Sequence, residues 1–306
     1  MRRNRFSSVL TLAAVTVAAL ALATSANAAI WTPADTTTAL WFDAADASTV
    51  TSGGGGISQW DDKSGNARHA TQGTGGNQPD YVLGQQNGLN VIRFNGSSEF
   101  FNLGTGLDWM ASDASHVAFA VLNNSNYSNL YGAANGGQGD ASLHVGFRDS
   151  GSYRINRWGN DYYPPITANY NAGEYNFLRW TWPEGGPKSV YANAKEEGTG
   201  GGGGGTGSGL SAMAGGGRIV NVVGQGYLDA DLGELVFLQG TPTQDTIDTM
   251  EGYLAWKWGL EGNLPSGHPY EFAPPQGAVI PEPSTLLVWS LLAGLGIGVG
   301  WRRRSR

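Results

Sequence analysis

Short apolar runs recur along this chain between clusters of Gly, Asn, Asp and Ser, and each run has room for one strand but not for an amphipathic helix. They are residues 89–94, 99–103, 116–122, 142–148, 152–158, 175–182, 189–193, 218–223 and 233–238. β-branched and aromatic residues punctuated in this way predict an all-β sandwich. With 48 glycines in the chain, long helices are disfavoured, because Gly in a helix interior costs roughly 1 kcal/mol relative to Ala. A body of about 250 residues is a usual size for one such domain. There is no cysteine, so neither disulfides nor thiolate chemistry contributes, and stability must come from a packed core.

Local signals refine the picture. Asn95-Gly96 reads as a hairpin turn, since both residues tolerate positive φ. The run from Tyr175 to Trp182 alternates with apolar residues on both faces, as a central strand would. One helix is predicted near the end: Thr241 is its N-cap, Pro242 its first residue and Gln244 its third, and Ile247, Met250, Leu254 and Trp258 form one stripe that must pack on the sandwich. Gly259 stops it. Residues 198–209, with an unbroken Gly200–Gly205, read as a flexible excursion between strands, and no Lys-Ser/Thr pair follows to make it a phosphate loop.

The two ends carry addresses. Arg2, Arg3 and Arg5, the apolar run Val9–Leu22 and Ala26-Asn27-Ala28 form a secretory leader cut after residue 28 by signal peptidase. At the other end, Pro281-Glu282-Pro283 precedes an apolar segment at 286–301 and the basic tail 302–306. Trp301 and the arginines help this short segment span a bilayer. In order and position these parts resemble the PEP-CTERM sorting signal of Gram-negative bacteria. The resemblance implies an inner-membrane-anchored precursor, processing near Pro281, Glu282 and Pro283 by an exosortase, and a destination at the cell surface or in the extracellular matrix. Three arginines leave with the leader and four with the tail, so 11 of 18 basic residues remain against 25 acidic ones, a net charge near −14. No basic run remains to bind nucleic acid.

Several motifs in the body are similar to one another's setting in a known family. These are Leu40-Trp41-Phe42-Asp43-Ala44-Ala45-Asp46, Trp60-Asp61-Asp62-Lys63-Ser64-Gly65-Asn66, Val91-Ile92-Arg93-Phe94-Asn95-Gly96, Gly233-Glu234-Leu235, Glu251–Leu260 and Leu264–Tyr270. Together they resemble the LamG-like domains of the concanavalin A-like lectin and glucanase superfamily. That resemblance implies a two-sheet jelly-roll sandwich with one C-terminal helix packed on it. The domain layout is then a leader (1–28), a jelly-roll domain (29–275), a linker (276–285), a transmembrane segment (286–301) and a cytoplasmic tail (302–306).

Chemistry has to be sought at sites, because a fold of this kind hosts many activities. Asp229, Asp231 and Glu234 are spaced so that Glu234 falls on the opposite face of a strand from the other two unless a bulge intervenes. Glucanases of the resembled superfamily carry a carboxylate pair at a related spacing, and retaining hydrolysis needs two carboxyls about 5 Å apart in one cleft. The alternative is a polar turn into the last strand. Asp43, Asp46, Asp61 and Asp62 are candidate calcium ligands, with turn-forming roles as the alternative. His69, His116, His144 and His268 sit in no nucleophile elbow or zinc motif. Trp158, Asn160, Asp161, Tyr162 and Tyr163 combine flat rings with hydrogen-bonding groups, as a sugar-binding loop does, or else they pack in the core. The expectation is an exported, non-enzymatic, lectin-like protein that binds carbohydrate or exopolysaccharide. A structural or adhesive matrix role and glycoside hydrolysis are the alternatives.

Overall fold

A computed structural model describes residues 30–277 except 105–106, 112–114, 135–141, 158–159, 184–185, 202–216 and 221–225. The leader, the Pro-Glu-Pro motif, the apolar tail segment and most of the Gly-rich excursion therefore lie outside the described residues. Among the described residues no helix is long and apolar enough to cross a membrane.

In chain order the strands are β1 (Leu40–Asp43), β2 (Val50–Ser52), β3 (Ile57–Trp60), β4 (Ala70–Thr71), β5 (Asp80–Gln86), β6 (Leu89–Asn95), β7 (Phe101–Gly104), β8 (His116–Asn124) and β9 (Asn129–Ala134). They continue with β10 (Ser142–Asp149), β11 (Ser152–Arg157), β12 (Asn160–Tyr162), β13 (Asn176–Trp182), β14 (Lys188–Ala192), β15 (Lys195–Gly200), β16 (Gly217–Ile219) and β17 (Asp229–Gln239). They form two antiparallel sheets. The eight-stranded sheet runs β15-β14-β13-β8-β17-β6-β5, with β1 also paired to β17. The nine-stranded sheet runs β12-β11-β10-β9-β16-β7-β4-β3-β2.

Alternation along the strands sends one set of side chains into the space between the sheets. Phe42, Phe94, Leu122, Trp180, Leu232 and Phe237 come from one sheet and Phe101, Tyr131, Val145, Phe147, Tyr153 and Ile155 from the other. Rings meet edge to face across the layer, as Tyr131 and Phe237 do at a centroid distance of 4.8 Å. The eight-stranded sheet is also covered on its outer face. Trp41, Val91, Val117, Phe119, Phe177, Val236 and Leu238 pack there against Ile247, Met250, Leu254 and Trp258 of the long helix Gln244–Lys257. This explains why β13 and β17 read as apolar on both sides. The nine-stranded sheet has no second apolar layer among the described residues.

Two local expectations shift. The helix is capped by Thr243, whose hydroxyl accepts the Thr246 N–H at 3.2 Å, two residues later than the sequence suggested. Asn95-Gly96 is not a hairpin: β6 and β7 lie in different sheets, and Asn95 Oδ1 accepts the N–H groups of Ser97 and Ser98 to carry the chain across. The tight hairpin is Asn87-Gly88 between β5 and β6, with φ of 50° and 73°, values that an Asn-Gly pair adopts with little strain. Tyr162 of β12 lies across Gly198, Gly200 and Gly201 at the β15 end of the other sheet; a Cβ on any of these glycines would meet the Tyr162 side chain at 2.8–2.9 Å.

Candidate functional site

The outer face of the eight-stranded sheet holds a buried charge cluster beneath the long helix. Glu234 is fully buried on β17. Its Oε1 accepts from Trp41 Nε1 (2.8 Å) and Tyr253 OH (2.9 Å), and its Oε2 from Lys257 Nζ (2.7 Å) and Trp258 Nε1 (2.8 Å). Lys257 also reaches Asp43 at 2.6 Å, and Lys63 bridges Asp43 (3.0 Å) to Asp46 (2.8 Å). Burial pushes the Glu234 carboxyl upward against the pull of the Lys257 ammonium. The Tyr253 hydroxyl is raised for the same reasons of burial and a neighbouring carboxylate. The Lys63 ammonium and the Ser48 hydroxyl hold Asp46 down at about 2.

This arrangement bears on the candidate calcium ligands. Lys63 occupies the space between Asp43 and Asp46. Asp62 accepts from the backbone N–H groups of Trp41, Ser64 and Arg68, and Asp61 faces Gln59 and His69. Calcium needs six to eight oxygens around one point, and these carboxylates are instead matched to cations and amides. The donor set does not fit the ion. Asp248, Glu251 and His268 also approach one another within 4.8 Å. His268 Nδ1, however, accepts the Tyr270 N–H at 3.2 Å, which leaves the neutral ring's proton on Nε2, the nitrogen facing Glu251 at 3.8 Å. A protonated Nε2 is not a metal ligand.

The bulge that the Asp231/Glu234 spacing required is present, because the pairing of β17 with β8 slips between Leu232 and Glu234. Gly233 sits at the slip, where a Cβ would lie 2.6 Å from the Trp258 ring. Both carboxylates therefore face outward, yet they share no cleft. Asp231 is held bidentately by Arg93 at 2.6 and 2.7 Å and accepts from Tyr175 OH at 2.8 Å, while Glu234 is sealed under Trp258. No geometry for the two-carboxyl mechanism exists at this pair.

The outer face of the nine-stranded sheet differs. Strand register lines up Thr51, Gln59, Thr71, Asn102, Arg218, Gly132, His144, Asn156 and Asp161 as one polar row across the sheet. Arg154 lies one pair further along, opposite Gly146, and its Nη1 donates to Asn129 Oδ1 at 3.2 Å. Asn156 Nδ2 donates to Tyr163 OH at 2.6 Å, and Tyr163 OH reaches Asp161 at 3.2 Å. The Arg148 guanidinium lies 4.1 Å over the Tyr163 ring. Burial, with repulsion from Arg154, lowers His144 to about 4.

The sugar-binding candidates are thus divided by strand alternation. Asp161 and Tyr163 come together on this face with Asn156 and Arg148, whereas Tyr162 turns to the glycines of β15. Asn160 pairs with Arg157 through the backbone, and Trp158 lies outside the described residues. Arg148, Arg154, His144, Asn156 and Arg218 escaped sequence reasoning. For Arg148, Arg154 and Asn156 the signal was the polar alternation of His144-Val145-Gly146-Phe147-Arg148 and Ser152-Tyr153-Arg154-Ile155-Asn156, which also carries His144, already weighed only as a catalytic or zinc residue.

Comparison with known proteins adds two findings. Residues 279–304 match the PEP-CTERM protein-sorting motif. The chain therefore carries the C-terminal sorting signal of an exported, exosortase-processed protein. No curated protein matches it in sequence. Among solved structures it is similar to a sialidase of Trypanosoma rangeli in complex with sialic acid, with 13% identity and a TM-score of 0.50, over 83% of this chain and 40% of that one. It is also similar to domain 4 of an extracellular arabinanase from Geobacillus stearothermophilus in complex with arabinotriose, with 16% identity, a TM-score of 0.45, and coverage of 61% and 89%. This chain thus spans well under half the length of the sialidase. At such identity the likeness shows the fold alone, a β-sandwich. A sialidase shares this fold, so the expectation that excluded an enzyme does not stand.

Proposed function

We propose that this chain is an exported precursor that delivers a sugar-binding β-sandwich to the cell surface or its surrounding matrix. The outer face of the nine-stranded sheet carries this reading. It presents a row of Asn, Gln, Thr, Arg and Asp side chains beside the Tyr163 ring, where the matching face of the other sheet is covered by a helix. Sugars are recognised by such mixed donors and acceptors next to a flat ring. The carbohydrate-active neighbours support the same class of ligand. The finer assignment of the sandwich as a LamG-like jelly roll belongs to this proposal too, as do the leader at 1–28 and the membrane segment at 286–301.

In this scheme signal peptidase removes the leader, the apolar segment holds the precursor in the inner membrane with its basic tail in the cytoplasm, and exosortase acts near Pro281–Pro283. Mass spectrometry of the mature protein checks the route: termini near Ala29 and Pro281 are expected, and a chain still ending at Arg306 contradicts processing. Polysaccharide pull-down checks the ligand. Retention that weakens in Asn156→Ala or Tyr163→Ala is expected, and no retention on any polysaccharide favours a purely structural matrix role. Assay of the same mixtures for released reducing ends reports whether binding is accompanied by cleavage.

A further inference from the structure

Cations on the two sheets are treated differently. In the eight-stranded sheet and its helix, Arg93, Arg179 and Lys257 reach carboxylates at 2.6–2.8 Å. On the outer face of the nine-stranded sheet, Arg154 and Arg218 reach no carboxylate among the described residues. The Nε of each is buried without a hydrogen-bond partner. Asn156 Oδ1 and Asn129 Nδ2, beside Arg154, are likewise buried and unpartnered. Arg154 and Arg218 each therefore have a guanidinium whose hydrogen-bonding capacity is incompletely used, on a side chain that is itself partly exposed. Arg148 adds a third guanidinium: it is half exposed, stacks on Tyr163 and, among the described residues, approaches one carboxylate, that of its neighbour Asp149, at 3.9 Å.

We infer that this face carries an anion subsite, centred on Arg148 and Arg154 and extended by Arg218, that selects an acidic polysaccharide over a neutral one. The inference rests on the sugar-binding reading above. Guanidinium groups bind carboxylates and sulfates through paired, short, charge-assisted hydrogen bonds. Arg218 lies three strands from Arg154, roughly 14 Å at the usual strand spacing. One extended chain lying across the strands can therefore meet both. The overall negative charge of the body does not forbid this, because exposed charges more than about 8 Å away are screened at physiological salt. The face gains selectivity from short contacts rather than from long-range attraction.

The test uses the full chain purified in detergent and four immobilised probes: polygalacturonate, fully methyl-esterified polygalacturonate, dextran sulfate and dextran. Retention on polygalacturonate is expected to fall about tenfold or more on esterification, the effect of losing a charge-assisted contact. Arg154→Gln and the half-exposed Arg148→Gln should each lower it to a similar degree while the unfolding midpoint holds or rises. A structural arginine would instead lower the midpoint and leave the preference unchanged. Retention on dextran sulfate alone, lost in the same variants, supports the subsite with a sulfate ester as its anion. Equal retention of the free acid and the ester overturns the anion subsite and leaves sugar binding standing. Retention of none of the four overturns both.

Discussion

The two outer faces of the sandwich are made from the same antiparallel ladder and reach opposite ends. On the eight-stranded sheet, the helix Gln244–Lys257 covers Glu234 and each of its oxygens receives two donors. On the nine-stranded sheet Arg154, Arg218, Asn129 and Asn156 each keep a buried atom without a hydrogen-bond partner. A satisfied, covered network specifies structure, because removal of any member strands another in a medium of low dielectric. An incompletely satisfied set leaves hydrogen-bonding capacity over. The contrast sets a closed network on one sheet against an open one on the other.

The sharpest way to break this contrast is at Glu234. Glu234→Ala strands the indole N–H groups of Trp41 and Trp258 and leaves Lys257 one carboxylate, Asp43, among the described residues, and is expected to cost about 3–5 kcal/mol in denaturant unfolding. Second is Gly233→Val, which drives a side chain into the Trp258 ring and should cost on the order of 1–3 kcal/mol by the same measurement. A loss confined to sugar binding in either variant would reverse the assignment of the two faces.

The smallest expected effect is in acid, and it separates the faces by pH. His144 holds its proton less firmly folded, at about 4, than unfolded, near 6.5. The unfolded chain therefore takes up a proton as pH falls from 6.5 to 4, stability declines through that window, and it levels off below it. Asp46 is the reverse kind of group, a carboxyl depressed to about 2 from 3.8. Its contribution is complete above pH 3.8 and disappears as pH falls through about 2. Unfolding titrations should show His144→Asn flattening the upper window and Asp46→Asn the lower one.

Nine of the seventeen strands, and the helix, were legible in the sequence because their signals are local. Runs such as His116–Leu122 and Ser142–Arg148 reappear as β8 and β10 within a residue or two at each end. What the sequence concealed depends on long-range pairing. Asn95-Gly96 looks like a hairpin until β6 and β7 are seen in different sheets, and Asn87-Gly88 had no recognised strand before it. The Glu234 cluster joins residues up to 214 positions apart, through Lys257 and Asp43, so no spacing rule reveals it. The ligand face was half visible: Asp161 and Tyr163 lie near one another in sequence, but Arg148, Arg154 and Arg218 reach the same surface only through strand order.

Tyr162 turned from a presumed ligand contact into a ring lying over Gly198, Gly200 and Gly201, where the end strands β12 and β15 of the two sheets meet. The consequence concerns how copies of the protein behave together. An end strand exposes unpaired amides and carbonyls on which a second molecule can continue the sheet. An aromatic ring clasping one terminal strand to the other hampers such growth along that side of the sandwich. Among neighbouring copies this clasp favours dispersal over polymerisation.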